Sequence, residues 1–238
     1  MAGHNKWSQI KHKKAIIDAR KGKAFTKLIK EITVAAKTGG GDPAGNARLR
    51  FLLEKAKDIN MPQDNYVRAI KKGTGELPGV VYENYTYEGY GPGNTAIMVE
   101  VLTDNKNKAV GELRHVFSRN GGNLAESGAV GWMFERQGRI EVTHPSMNED
   151  TLMEHLLDYP VKDISKEEDT FHITCEPKAL EEVKTALSKL GCTIKEAELE
   201  WHATNTQELA SDAEEKAIQL LQALDELDDV QNVYTNLA

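Results

Sequence analysis

The chain has 238 residues, of which 39% are hydrophobic and 28% charged, and its formal charge is −7. Its length exceeds the common domain size of roughly 100–200 residues, so two or three domains are expected, with enough chain to bury a core without staples. The composition excludes a disordered low-complexity chain, no apolar run approaches the ~18 residues needed to cross a bilayer, and lysines interrupt the N-terminus before a signal-peptide h-region could form.

Residues 8–20 could be helical, but they are rich in cations and poor in apolar side chains that could dock them, so this arm is expected to be mobile or only partly ordered without a partner. Phe25, Leu28, Ile29, Ile32 and Ala36 recur at three- and four-residue steps, which places them on one helical face. Gly39-Gly40-Gly41 ends that helix, since glycine accepts the left-handed conformation at a C-terminus. Asp42-Pro43 reads as N-cap and first residue of a second helix, whose apolar face is Leu49, Leu52, Leu53 and Ala56. Pro62 opens a third helix carrying Tyr66, Ala69 and Ile70 and ending at Gly73. Three short amphipathic helices with brief connections make a small bundle.

The composition of 74–79 is that of a linker. Beyond it Tyr82–Tyr90 alternates and Ala96–Leu102 is an apolar run of strand length. A helix at about 106–119 turns Val110, Leu113, Val116 and Phe117 inward, Gly121-Gly122-Asn123 makes a turn, and Val130–Phe134 reads as a short strand: order ββαβ. A second unit follows: strand Arg139–Thr143, helix 148–158, strands 161–165 and 170–175, a helix from Pro177 to Leu190, and a strand at 193–200. Its order βαββαβ is the split-βαβ, ferredoxin-like signature. A last helix at 207–225 presents Leu209, Ala213, Leu220, Leu221 and Leu224, and Val230–Tyr234 is a final strand. Because ββαβ lacks an αβ element that the chain end supplies, the expected organisation is a helical domain at 1–77, an α/β domain made from 78–138 and 204–238, and an inserted α/β domain at 139–203. The fold class is α+β: an N-terminal three-helix bundle followed by two α/β (ferredoxin-like) domains, one inserted in the other.

The overall charge conceals an asymmetry. Residues 1–75 hold 17 Lys+Arg against 6 Asp+Glu, a net of +11, which leaves 13 against 31, a net of −18, for the remainder. One part of the chain thus suits a polyanion and the other does not. The candidate nucleic-acid-binding residues are Lys6, Trp7, Lys11, His12, Lys13, Lys14, Arg20, Lys21, Lys23 and Lys27. Phosphate contacts by such cations release counterions and need no particular base sequence. Trp7 and His12, interleaved with them, could stack on an unpaired base, although Trp7 could equally pack as an apolar staple. Arg48, Arg50, Arg68, Lys71 and Lys72 extend the patch if the bundle folds them onto one side.

The sequence also resembles a known family. The opening Met1-Ala-Gly-His-Asn-Lys-Trp-Ser-Gln-Ile-Lys-His-Lys-Lys-Ala15, then Gly22–Leu28, Gly39–Pro43, Arg48–Arg50, Asn60–Pro62, Tyr87–Gly93, Thr103–Lys108 and Gly121–Leu124, together resemble the YebC/PmpR family along the whole chain. Asn5, Asn94, Lys106 and Lys108 depart from the family's frequent residues; the lysines keep the charge of arginine without its bidentate fork. The resemblance implies a three-domain protein without known catalytic activity that acts as a transcriptional regulator. It also implies a tie to translation, since mitochondrial relatives act as translational activators and bacterial members have been linked to the ribosome.

Enzymatic motifs are missing from the sequence: there is no Gly-x-Ser-x-Gly, His-Glu-x-x-His or Cys-x-x-Cys, and the seven histidines are scattered. Gly89-Tyr-Gly-Pro-Gly93 lacks the Gly-Lys-Ser/Thr ending of a phosphate loop and reads as a hairpin connection. Thr103–Lys108 joins a strand to a helix, where Asp104 or Asn105 can cap and the helix start with Lys106 and Lys108 suits an anion. Two cysteines, Cys175 and Cys192, read as reduced thiols of a cytoplasmic protein. No cofactor, metal or membrane partner is expected. The reading is a non-enzymatic regulator that binds DNA through its basic N-terminal domain, or alternatively a ribosome-associated translation factor that binds ribosomal or transfer RNA through the same domain, its acidic parts near a basic protein surface. Replacing Lys11, Lys13 and Lys14 with alanine is expected to weaken binding to any polymer and to flatten the salt dependence by ~2–3 units, near 0.9 per lost phosphate contact on duplex DNA, with folding stability nearly unchanged. Salt titrations of the variant against the parent measure it.

Overall fold

A computed structural model describes residues 7, 21–144 and 146–238. Three helices form first: α1 (Lys21–Gly39), α2 (Ala47–Asp58) and α3 (Gln63–Gly73). Leu28, Ile32 and Ala36 of α1, Leu49, Leu52 and Ala56 of α2, and Ala69 of α3 bury together with Met61, as the apolar spacing requires. α1 ends with Gly40 in the left-handed region at φ +86°.

The start of α2 differs from the expectation. Its N-cap is Asn46 and not Asp42: the Asn46 Oδ1 accepts the Leu49 N–H at 3.0 Å, while its Nδ2 donates to the carbonyls of Ala35 (2.9 Å) and Gly40 (2.8 Å). A carboxylate could accept the first bond but could not donate the other two, so one buried amide closes the end of α1 and the start of α2 together. Asp42 instead accepts the Ala44 N–H in a local turn. At the same end of the bundle α3 runs against α1 so closely that a Cβ on Gly73 would stand 2.4 Å from the Thr33 carbonyl oxygen. Glycine there is a packing requirement.

The first sheet comprises β1 (Glu83–Tyr90), β2 (Ala96–Thr103), β3 (Asn123–Leu124) and β8 (Val230–Thr235), in the order β3-β1-β2-β8 with antiparallel neighbours. Gly91–Thr95 closes the β1–β2 hairpin through a 3-10 turn, with Gly93 at φ +69°. Helices α4 (Lys106–Arg119) and α7 (Ser211–Asp225) lie on one face, where Ile97, Val99 and Val101 meet Leu113, Phe117, Leu220, Leu221 and Leu224. Two expectations need correction here. The third strand is Asn123–Leu124, because Val130 and Gly131 give their N–H groups to the Glu88 carboxylate and Gly131–Met133 is a 3-10 turn. The last helix starts at Ser211 and not at 207, because Gln207 is spent in an extended bridge to Leu237 and donates its N–H to Asn236.

The chain divides into two compact units, one running to Trp132 and resuming at Asn205–Ala238, the other Met133–Thr204. The second unit contains β4 (Phe134–Thr143), α5 (Glu149–Leu156), β5 (Val161–Glu167), β6 (Thr170–Cys175), α6 (Leu180–Lys189) and β7 (Thr193–Ala203). Its strand order β5-β6-β4-β7 is the split-βαβ arrangement, in which the first and third strands of the unit lie side by side. The first sheet differs, since its first two strands are joined by a hairpin. β4 begins five residues before Arg139, because β7 pairs with it from Phe134↔Ala203 to Thr143↔Thr193. Pro177–Ala179 forms a 3-10 turn ahead of α6. Ile140, Val142, Phe171, Ile173, Leu152 and Val183 form the core of this unit.

In the first unit a buried ion pair fastens the bundle to the sheet. The Lys30 ammonium of α1 donates to the Asp229 carboxylate, to the Asp228 carbonyl at 2.8 Å and to the Leu102 carbonyl at 3.4 Å. The second Asp229 oxygen accepts the Thr103 hydroxyl at 2.9 Å. One turn earlier, Lys27 donates to the carbonyl of Asp225, the last residue of α7, at 2.7 Å, where the helix dipole favours a cation.

Burial alone would raise the Asp229 pKa, but the hydrogen bonds from Lys30 and Thr103 and the charges of Lys30 and Lys108 outweigh it and hold the carboxyl below its ordinary range. A depressed carboxylate stabilises the fold fully above the unfolded value near ~3.9 and ceases to do so as pH falls through the lower native value. Asp229→Ala, which leaves Lys30 buried without its counter-ion, is expected to cost about 3–5 kcal/mol at pH 7. The variant is also expected to show a shallower loss of stability than the parent below about pH 4, because the group that binds the proton is gone. Urea unfolding at pH 7 and along an acid series measures both.

Candidate nucleic-acid interface

The bundle is where the excess cations reside, and the structure divides them into two sets. Lys27 and Lys30 face inward and are committed to Asp225 and Asp229. Arg48 is paired with Glu31 at 2.6 Å and Arg50 donates to the Pro43 carbonyl at 3.0 Å. Lys23, Lys37, Lys57, Arg68, Lys71 and Lys72 are exposed and have no ion-pair partner among the described residues. Arg68, Lys71 and Lys72 stand at three- and four-residue spacing on α3 and therefore share one face. The close approach of Gly73 to Thr33–Lys37 brings the last turn of α3 beside the last turn of α1, so that Lys37 joins Lys71 and Lys72.

Of the residues singled out from the sequence, Lys6, Lys11, His12, Lys13, Lys14 and Arg20 lie outside the described residues. Lys21 is the first residue of α1. Lys23 is exposed and has no ion-pair partner among the described residues, whereas Lys27 holds α7. Trp7 is a correction to the stacking reading: its side chain is 4% exposed, its indole N–H donates to the Val233 carbonyl at 3.0 Å, and its ring belongs to the core that also holds Phe117 and Leu221. An indole packed on both faces has none left for a base. Lys37 and Lys57 were not singled out, although both enter the charge excess over 1–75. What marks them is the lack of an ion-pair partner among the described residues, which only the folded arrangement reveals.

Elsewhere the geometry is structural. The Gly89–Gly93 segment is the hairpin connection of β1 and β2, with the Gly91 N–H donating to Thr95. Asn105 caps α4 by accepting the Lys108 N–H at 3.0 Å, and Lys108 lies 3.8 Å from Asp229 and 3.7 Å from Glu112. The Glu88 carboxylate would be raised by burial, yet three backbone N–H bonds from Gly128, Val130 and Gly131 hold it below the ordinary range. Cys175 and Cys192 are buried, free thiols, and burial pushes both pKa values up, away from thiolate reactivity. Among the described residues no group of three or more His, Cys, Asp or Glu could hold a metal ion, and no helix is long and apolar enough to cross a membrane.

Comparison with known proteins places the chain. Residues 5–76 match the family described as the TACO1/YebC protein N-terminal domain, and residues 82–237 match the TACO1/YebC second and third domain. A relative from Desulfosudis oleivorans, named "Probable transcriptional regulatory protein", is 54% identical over 99% of this chain and 96% of its own length. A relative of the same description from Chlorobaculum tepidum is 51% identical over 100% of this chain and 95% of its own. The crystal structure of the conserved hypothetical protein Aq1575 from Aquifex aeolicus superposes with a TM-score of 0.85 at 47% identity, covering 98% of this chain and 96% of that one. With both family matches and full-length relatives near half identity, the chain belongs to the TACO1/YebC family.

Proposed function

We propose that this protein is a non-catalytic regulator that grips nucleic acid through the unpaired cations of its helical bundle, joined by the lysines of its N-terminal segment. The observation that carries the reading is the partition of charge. Cations needed by the fold are paired, while Lys23, Lys37, Lys57, Arg68, Lys71 and Lys72 are exposed and unpaired among the described residues of a chain that is otherwise acidic. The acidic remainder repels a polyanion and so turns the bundle toward it; it also suits a basic protein surface. Duplex DNA is the ligand that the relatives' names favour, and transcription the process. A cytoplasmic setting accords with two free thiols.

Structured RNA of the translation apparatus, ribosomal or transfer, is the second reading, and one feature of the bundle favours it. α2 and α3 pack chiefly on α1 and little on each other, so the packed pair of a helix-turn-helix, with a recognition helix offered to the major groove, is missing from the described bundle. Flexible lysines at helix ends reach phosphates whatever the base sequence, and they serve an A-form helix as well as a B-form one.

Fluorescence anisotropy of the full-length protein with a duplex DNA and an RNA hairpin of equal charge, each titrated with salt, tests both readings. Replacing Arg68, Lys71 and Lys72 together with alanine is expected to weaken binding to the preferred polymer and flatten its salt slope by about 2–3 units, while thermal stability changes by no more than about 0.5 kcal/mol. Parent-like affinity and slope in that variant would remove the bundle from the account.

A further inference from the structure

A hollow of about 320 Å³ opens on the first unit between β1, α4 and the segment that follows β3. That volume lies at the small end of the ~300–1,000 Å³ range of ligand sites, on the scale of one nucleotide. β1 contributes Tyr85 and Tyr87, whose ring centroids stand 6.2 Å apart. α4 contributes Lys106, Val110 and Arg114, at four-residue steps along one stripe, and Leu124 closes the apolar side.

Val110 and Leu124 are accounted for by the edge of the core, but the other groups are not. Lys106 Nζ lies 5.0 Å from the centroid of the Tyr85 ring, and that cation–π contact is its sole described partner; Arg114 has none. Both are exposed. The Tyr87 hydroxyl is buried without a hydrogen-bond partner. Two carboxylates stand near. Glu88 is saturated by three backbone N–H groups, and Glu83 accepts the Tyr85 hydroxyl at the rim.

We propose that this hollow takes one unpaired nucleotide of a nucleic-acid strand, its base against the Tyr85 ring and its flanking phosphates within reach of Lys106 and Arg114. The two cations are eight residues apart, about 12 Å along the helix, so they do not converge on one anion, and the Lys106 ammonium now over the Tyr85 ring would swing aside for a base. A lone phosphate would want converging donors; a base with a phosphate on either side wants a π-face and two separated cations in one hollow. The start of α4 also adjoins the bundle, since Lys108 approaches the same Asp229 carboxylate that holds Lys30, so a strand gripped by the bundle has a short path to the hollow. The inference rests on the nucleic-acid reading of the bundle and adds to it a site for an unstacked base.

The test uses the full-length protein and three labelled duplexes of equal length: fully paired, with one unpaired adenosine, and with an abasic residue at that position. The parent is expected to bind the unpaired adenosine most tightly. Tyr85→Leu is expected to lose about 5- to 150-fold on that probe alone, the range for one base–aromatic stack, and Tyr85→Phe to restore it. Lys106→Ala with Arg114→Ala is expected to flatten the salt slope on the same probe by about 1–2 units. Equal binding of the adenosine and abasic probes, or no effect of Tyr85→Leu, overturns the hollow while leaving the bundle in place if the Arg68/Lys71/Lys72 variant still weakens all three probes. No binding of any probe by the parent overturns both. Displacement of the adenosine probe by low concentrations of free adenosine monophosphate identifies a free-nucleotide site and overturns the strand assignment.

Discussion

Lys30 and Asp229 form the contact on which the arrangement of the first unit depends. An ammonium and a carboxylate, 6% and 5% exposed, have been taken out of water, which is unfavourable unless every remaining donor and acceptor finds a partner. Here they do: Lys30 reaches two backbone carbonyls besides the carboxylate, and Asp229 accepts Thr103 as well. Such a pair adds little net stability over an apolar contact of the same shape, but it tolerates few alternative geometries. It sets α1 against the end of α7 and the start of β8, and the neighbouring Lys27–Asp225 contact adds a second point. Two points suffice to fix which face of α1 turns inward. The cations that remain outside are therefore a consequence of where the inward ones are held.

This division explains how an acidic protein can present a basic face. Net charge describes solubility and long-range repulsion; the local field decides which surface approaches a polyanion. In the first unit Glu31 is used by Arg48, and Asp225 and Asp229 are used by Lys27 and Lys30, while Lys37, Lys71 and Lys72 at the last turns of α1 and α3 have no ion-pair partner among the described residues. The cations there sit where helix C-termini favour positive charge, and they are exposed to solvent.

Much of the fold can be read from local pattern, and the failures have a common cause. The apolar faces of α1 and α2, the Pro62 helix start and the order βαββαβ follow from periodicity and turn residues within a few positions. Asn46 lost to Asp42-Pro43 because the local cap signature is stronger there; the deciding bonds run from its amide to Ala35 and Gly40, on the preceding helix. The polar run Glu135-Arg136-Gln137 does not look like a strand, and becomes one through β7, more than sixty residues away. The basic character of the candidate site was legible in the sequence, and its membership less so. Clustered cations over 1–75 mark the bundle, but that Lys27 is committed and Lys37 is not depends on acids 198 residues downstream and on the Gly73 contact. Trp7 shows the same limit, its indole satisfied by a carbonyl 226 positions away.

Ultraviolet cross-linking of the full-length protein to nucleic acid in its own cells, with mass spectrometry of the nucleotide-bearing peptides, addresses the central claim most directly. The account predicts adducts on peptides from residues 1–23 and 57–74, with the attached nucleotide, uridine or thymidine, identifying the polymer. Adducts confined to residues 133–204, or none on the bundle at all, would contradict it.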